Sequence, residues 1–130
     1  MIAFVIPGEA VPFARARGGN GIARFTPKKQ RDFMATVKQI AADAMDGAPP
    51  LDGPVQLIAR FDYLRPASHT KRQAACPWKM SKPDADNLVK IIKDALSKLA
   101  WRDDAQVCDL HVQKRYAPVA RVTITLQAAA

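Results

Sequence analysis

The chain has 130 residues, a length that predicts a single domain spanning residues 1–130 with its own hydrophobic core. Its hydrophobic content of 48% is typical of a globular protein, and no apolar run approaches the roughly 20 residues needed to cross a bilayer. The N-terminus lacks the pattern of a signal peptide, so we expect a cytoplasmic protein. The two cysteines and two histidines lack metal-ligand spacing, which argues against a disulfide framework and a zinc site. Any metal would therefore need oxygen ligands.

Positive charge is concentrated in two segments of the chain. The total is 20 basic against 12 acidic residues, a net charge of +8. Residues 10–31 carry six cations and no acid, and residues 65–82 carry five cations and no acid. The rest of the chain has nine cations against twelve acids. Scattered lysine and arginine would only keep a surface solvated, whereas this segregation favours a polyanionic partner, DNA or RNA.

The first half of the chain predicts a strand, a basic loop and a helix. The run "IAFVIP" alternates as a strand does, and residues 8–25 form a glycine-rich basic loop. Thr26 can N-cap the following helix with Pro27 at its first position, and the helix continues to about Met45. The residues expected to face the core are Ile2, Phe4 and Ile6 on the strand and Phe33, Met34, Val37, Ile40, Ala41 and Ala44 on the helix.

The second half predicts three strands and one helix. The run "VQLIARF" is a strand, and residues 64–82 form a long loop of the kind that is usually functional or disordered. The cations of this loop and Trp78 favour nucleic-acid binding, although Trp78 as a packed loop anchor fits equally well. A helix follows from about Asp84 to Leu99. Its apolar face is expected to contain Leu88, Ile91, Ile92, Ala95, Leu96 and Leu99.

The last two strands, "VCDLHVQKRY" and "VARVTITL", are separated by a short turn and predict an antiparallel hairpin. The element order is then β-α-β-α-β-β. It predicts an α+β fold, a single domain in which a mixed sheet is covered by two helices.

Two aspartates, Asp84 and Asp86, stand at the entrance of the second helix in "KPDADNLVKIIKDAL". A helix N-terminus favours acids without any metal, so capping is the simpler interpretation, and Ser81 with Asp84 resembles a poor capping box. The alternative is a magnesium site, which needs a third oxygen ligand. "WRDDAQV" offers Asp103 and Asp104 if the chain folds back, and a solvated turn is the alternative for that pair.

Lys90 and Asn87 follow the two aspartates on the same helix. Lys90 lies one turn after Asp86, so a plain i, i+4 ion pair would explain it. In a metal site it would instead stabilise charge on a scissile phosphate. Asn87 is either structural or a phosphate donor.

The combined pattern resembles the RusA family of Holliday-junction endodeoxyribonucleases. The family pattern is D-x-D-N-L-x-K-x-x-x-D-A-L, then D-D-x-Q-V, then a lysine in the following strand. It is matched in order by "KPDADNLVKIIKDAL", "WRDDAQV" and "CDLHVQK". The N-terminal "IPGEAVPFARARG" and "FTPKKQRDF" also resemble the entrance loop of the family, so the resemblance covers most of the chain.

The resemblance implies a homodimer, of bacterial or prophage type, that binds four-way DNA junctions and nicks them symmetrically with Mg²⁺, with Mn²⁺ as a substitute. It makes Asp84, Asp86 and Asp104 the catalytic metal ligands and places Lys90 at the phosphate; Asp103 remains the alternative to Asp104. A non-catalytic nucleic-acid-binding module and a magnesium-dependent nuclease for other branched DNA are the competing functions. Phe13 or Phe25 is expected either to stack at the junction centre or to anchor a loop. The residues expected to contact nucleic acid are Arg15, Arg17, Arg24, Lys28, Lys29, Lys71, Arg72, Lys79, Lys82, Asn87 and Lys114.

Overall fold

A computed structural model describes residues 1–13 and 28–130 of the chain. The predicted helix start at Thr26 and Pro27 lies outside the described residues, as do Phe25 and three of the predicted DNA contacts, Arg15, Arg17 and Arg24. The elements in chain order are β1 (Ile2–Pro7), α1 (Lys28–Met45), β2 (Val55–Tyr63), α2 (Lys71–Ala74), α3 (Ala85–Leu96), a 3₁₀ turn (Asp104–Gln106), β3 (Val107–Tyr116) and β4 (Arg121–Ala128).

The four strands form one mixed sheet in the order β1-β4-β2-β3. β4 pairs antiparallel with both β1 and β2, while β2 and β3 are parallel. A parallel pair needs a long crossover, and here α3 lies in the connection from β2 to β3. The predicted α+β fold with a mixed sheet is therefore confirmed.

The predicted hairpin between the last two strands is wrong, because β3 and β4 lie on opposite sides of β2. Strands two places apart are about 10 Å apart, a gap that the four-residue connection 117–120 can cross. As it crosses, the amide of Ala117 donates to the carbonyl of Tyr63 at the end of β2. The burial of the two strands explains which of them lies inside the sheet. The inward residues of β4 are at most 1% exposed, whereas Leu110 on β3 is 44% exposed, so β4 is central and β3 is an edge strand.

Helices α1 and α3 pack together and bury their apolar faces in one core with the inward side of the sheet. All the predicted core residues of α3 are buried except Leu99, which is half-buried because the helix ends at Leu96. Lys98 then adopts a positive φ of 69°, which turns the chain out of the helix. On α1 the prediction that Ala44 is buried is wrong. Ala44 is exposed and Met45 takes the core position, because the stripe drifts round the helix over its last turn.

The loop predicted over residues 64–82 contains more structure than its sequence suggests. It includes the one-turn helix α2, and its later part forms a short bridge to the outer edge of β3, with Trp78 opposite Arg115. The bridge covers part of an exposed strand edge. Among the described residues, no helix combines the length and the apolar composition that spanning a membrane requires.

Candidate active site

The two aspartates at the start of α3 have no partner within the described residues. Asp84 occupies the N-cap position with extended backbone angles (φ −73°, ψ 146°), yet its side chain accepts no capping hydrogen bond. Asp86 lies in the first turn, and neither carboxylate forms a hydrogen bond or ion pair with another described residue. The resemblance of Ser81 and Asp84 to a capping box is not realised, since the hydroxyl of Ser81 instead accepts from Lys79. Their position at the helix N-terminus still places both acids where the helix dipole favours negative charge.

Lys114 holds the backbone that leads into this acid pair. Its ammonium group donates to the carbonyl oxygens of Ser81 (2.8 Å) and Pro83 (2.6 Å). Lys114 pairs with Phe61 across the parallel strands, which places its side chain on the helix-covered side of the sheet. Two of the three ammonium donors are thus used inside the protein. Lys114, predicted as a DNA contact, connects β3 to the turn that carries Asp84.

A hollow of about 400 Å³ opens beside Asp84, and its walls include Phe13, Lys82 and Asn87. The amide of Phe13 donates to the carbonyl of Asn87 (3.0 Å), and the ammonium of Lys90 lies 4.6 Å from the centre of the Phe13 ring. Phe13 therefore packs on α3 within this site. The hollow combines a carboxylate, a cation and an amide around a space that is open to solvent.

A second hollow, of about 270 Å³, lies further along α3 and contains Asp104 together with Lys90, Lys93 and Asp94. Lys90 is half-exposed, and its ammonium lies 3.5 Å from the Asp94 carboxylate, an i, i+4 pair. The simpler alternative for Lys90, an ion pair with Asp86, is thus not formed; Asp94 takes that place. An exposed pair of this kind contributes at most about 1 kcal/mol to stability. Lys90 and Asp104 are brought to the same hollow.

The "WRDDAQ" segment is a closely hydrogen-bonded turn in which the two aspartates differ. The carboxylate of Asp103 accepts from the amide of Ala105 (2.9 Å) and caps the 3₁₀ turn. Gln106 completes that capping box and also donates to the carbonyls of Leu51 and Gly53. The carboxylate of Asp104 accepts from the indole nitrogen of Trp101 (2.8 Å) through one oxygen.

Trp101 contacts the predicted ligand Asp104, and the sequence pattern did not indicate this contact. It is fully buried, and a buried indole N–H needs an acceptor. The tryptophan three residues before Asp104 was the available signal, since a short turn can bring that acid back to the ring. The hydrogen bond orients the Asp104 carboxylate and uses one of its two oxygens.

The donor chemistry of the three predicted ligands fits a hard divalent cation. Asp84 and Asp86 are exposed and unpartnered among the described residues, and Asp104 has one oxygen outside the Trp101 hydrogen bond. Magnesium takes carboxylates, water and substrate phosphates in this way. Residues 1–13 and 28–130 contain no group of three or more His, Cys, Asp or Glu side chains already gathered to hold a metal ion. The structure therefore does not bring the three predicted ligands together in one described cluster.

The described cations of the predicted DNA surface occupy several positions. Lys28 and Lys29 are exposed at the start of α1, and Lys71 and Arg72 are exposed on α2. Lys79 is half-buried, and its ammonium lies 5.0 Å from the Tyr63 ring centre. Lys28, Lys29, Lys71 and Arg72 are therefore accessible to DNA, whereas Lys79 stabilises the 64–82 segment.

Comparison with known proteins identifies the family of this chain. The family described as "Endodeoxyribonuclease RusA" matches residues 7–127 of the chain. A curated relative, "Uncharacterized protein YqaN" of Bacillus subtilis (strain 168), is 33% identical over 136 residues, covering 97% of this chain and 95% of the relative. The chain belongs to the RusA endodeoxyribonuclease family. The resemblance found in the sequence is thus confirmed, and the family implies an endodeoxyribonuclease.

Proposed function

We propose that the protein is a magnesium-dependent endonuclease that resolves four-way DNA junctions by paired symmetric nicks. Membership of the RusA family supports a junction-resolving role. The observation that carries the proposal to this site is the unpartnered state of Asp84 and Asp86 among the described residues. Two carboxylates left without internal donors at a fixed helix entrance are suited to bind an external cation.

The residues that would hold the cation are Asp84, Asp86 and Asp104. A magnesium ion bound there would polarise a phosphoryl oxygen and lower the pKa of an attacking water. Trp101 orients Asp104 through the 2.8 Å hydrogen bond. Lys114 fixes the turn before Asp84 through two carbonyl contacts. Residues that orient metal ligands typically change metal affinity or activity 10- to 100-fold when altered.

Lys90 and Lys82 supply positive charge on the two sides of α3. The side chain of Lys90 is 51% exposed and its ammonium is weakly paired with Asp94, so the ammonium can move to a phosphate oxygen. Lys82 lines the hollow beside Asp84 together with Asn87, whose side-chain amide can donate to phosphate. These groups would counter the negative charge that grows on the phosphate as the P–O bond breaks.

A homodimer would explain symmetric cutting. A two-fold dimer places two copies of the same site on the two strands of a two-fold junction. The basic segments 10–31 and 65–82 would hold the DNA arms, and binding would then weaken steeply as salt is added.

The test is cleavage of a labelled four-way junction, with a linear duplex of the same sequence as control. Wild type, Asp86→Asn and Asp104→Asn are compared with magnesium, with manganese and with chelator. We expect paired nicks near the crossover only with wild type and metal. Equal cutting of duplex and junction would retain the metal site and overturn the junction specificity. Tight junction binding without cleavage by wild type would make the protein a binding module.

A further inference from the structure

An aromatic hollow of about 260 Å³ lies on the 64–82 segment and is distinct from the two hollows beside α3. Its walls include His69, Gln73, Trp78, Met80, Ser81 and Tyr116. Trp78 is 47% exposed and Met80 is 86% exposed. Large apolar side chains grouped at the mouth of a hollow, with polar groups beside them, typically mark a binding surface.

Trp78 is held rigidly although half of its surface meets solvent. Its segment pairs with the edge of β3, where the Lys79 amide donates to the Lys114 carbonyl (3.1 Å) and the Tyr116 amide donates to the Pro77 carbonyl (2.9 Å). Tyr116 itself is already occupied, because the Arg65 guanidinium lies 4.5 Å from its ring centre and His69 contacts it edge-on. The Arg115 guanidinium also contacts the Trp78 ring, but Trp78 is still 47% exposed and so has surface left for a ligand.

Arg115 stands directly opposite Trp78 in the short bridge, and its guanidinium lies 4.9 Å from the indole centre. Its Nε is buried and has no hydrogen-bond partner, and within the described residues it forms no ion pair with an acid. A guanidinium has five N–H donors in a planar fork suited to phosphate. An arginine with unused donors beside a half-exposed tryptophan matches the two parts of a nucleotide, the base and the phosphate.

We propose that Trp78 and Arg115 form a subsite for one unpaired nucleotide of branched DNA, an inference that rests on the proposed function. The base stacks on the exposed indole at the mouth of the hollow, and its phosphate meets the Arg115 guanidinium. The surrounding charge is complementary, since residues 65–82 contain five cations and no acid. Aromatic stacking beside cations is the general device for binding single-stranded nucleic acid.

The subsite selects an unpaired base because of stacking. In a duplex both faces of a base are covered by neighbours, so only a base that has left the stack can meet the indole.

The subsite lies close to the turn that leads into Asp84. Ser81 lines the hollow, and Asp84 is only three positions further along the chain, a span of at most roughly 10 Å. Lys114 bonds to the carbonyls of both Ser81 and Pro83, so the two sites are linked through one side chain. A nucleotide bound at Trp78 would therefore set the cutting position within a few nucleotides of itself.

The experiment compares two four-way junctions in chelator, where no cleavage occurs. One carries a single unpaired thymidine at the crossover, and the other carries an abasic residue there. Dissociation constants and tryptophan fluorescence are measured for wild type, Trp78→Leu, Trp78→Phe and Arg115→Gln. Because Trp101 is fully buried, quenching on binding reports on Trp78. Arg102→Gln is the matched charge control, since Arg102 is exposed near the opposite end of β3.

We expect wild type to bind the thymidine junction about 5- to 100-fold more tightly than the abasic junction. Trp78→Leu removes that difference and Trp78→Phe keeps part of it. Arg115→Gln weakens binding to both junctions and reduces the slope of log affinity against log salt concentration by about one, because one phosphate contact is lost. Arg102→Gln changes neither quantity. Equal binding of the two junctions by wild type, or unchanged discrimination in Trp78→Leu, overturns the subsite.

A separate measurement with magnesium on a fully paired junction distinguishes this failure from failure of the proposed function. Normal cutting by wild type without base discrimination overturns the subsite and leaves the nuclease. Base discrimination that depends on Trp78, without any cutting, supports the subsite and overturns the nuclease.

Discussion

The two aspartate pairs of the site resemble each other in sequence but differ in their surroundings. In the pair at the start of α3, Asp84 and Asp86 have no internal partner among the described residues. In the pair before β3, Asp103 caps a turn and Asp104 accepts from a buried indole. The donors that surround a carboxylate thus decide whether it serves the fold or remains available to a ligand. Asp104 does both, with one oxygen in the fold and one outside it.

The largest expected effect is the loss of cleavage in Asp86→Asn. We expect activity to fall about 100-fold or more, because a neutral amide is a poor ligand for a divalent cation. The free energy of unfolding should change by less than about 1 kcal/mol, since only the dipole interaction is lost. Junction cleavage and denaturant unfolding measure the two quantities. Asp52→Asn, another exposed aspartate, is the matched control and should cut normally. A stability loss with normal cleavage would return Asp86 to a helix-stabilising role.

Trp101→Phe separates the positioning of Asp104 from its charge. The variant removes the N–H that Asp104 accepts, and we expect cleavage to fall about 10- to 100-fold, with a higher metal concentration needed for half-maximal rate. Stability should fall by about 1–3 kcal/mol, because the smaller ring leaves a cavity in the core. Titrating the rate with magnesium measures the first effect. If only stability falls and the metal dependence is unchanged, the hydrogen bond does not position the ligand.

Lys114→Met tests whether the turn before Asp84 needs its connection to β3. Loss of two hydrogen bonds from a charged donor should lower the free energy of unfolding by about 1–3 kcal/mol and reduce cleavage. Lys90→Met is the matched comparison and should reduce cleavage while changing stability by about 1 kcal/mol or less. Urea unfolding of both variants gives the contrast. Equal stability of the two would show that the carbonyl contacts of Lys114 contribute little.

The smallest expected effect is at Tyr63, whose buried hydroxyl has no hydrogen-bond partner among the described residues. Burial, followed by the negative charge of Glu9, raises the pKa of Tyr63 to about 12. The folded protein therefore keeps the phenol protonated more strongly than the unfolded chain does. Stability from this group is complete below pH 10 and falls as pH rises towards 12. Because the hydroxyl has no hydrogen-bond partner, Tyr63→Phe should be neutral or stabilise by about 1 kcal/mol.

Thermal unfolding of wild type and Tyr63→Phe between pH 8 and pH 12 checks this prediction. The difference between the two curves should grow only at the alkaline end, with the variant the more stable there. A parallel decline of both proteins would assign the alkaline loss to other groups.

The local sequence pattern was sufficient to predict much of the secondary structure of this protein. Alternation and helical periodicity identified the strands, the two long helices and their buried faces, because a side chain's neighbours along the chain decide which face it occupies. The motif from Asp84 to Lys114 was sufficient to identify the family, which the match over residues 7–127 confirms. The segregation of cations into two segments was also readable from the chain alone.

Tertiary structure decided the pairings. The sheet places β4 between β1 and β2 and leaves β3 at the edge. This order depends on which strand buries more apolar surface in the folded protein, and the alternating pattern of two successive strands does not predict it. The same holds for the contacts of Trp101 with Asp104 and of Lys114 with the turn before Asp84. Hydrogen-bond partners of side chains depend on distance in space, so the sequence determined which acids are present and the fold determined which of them remain free.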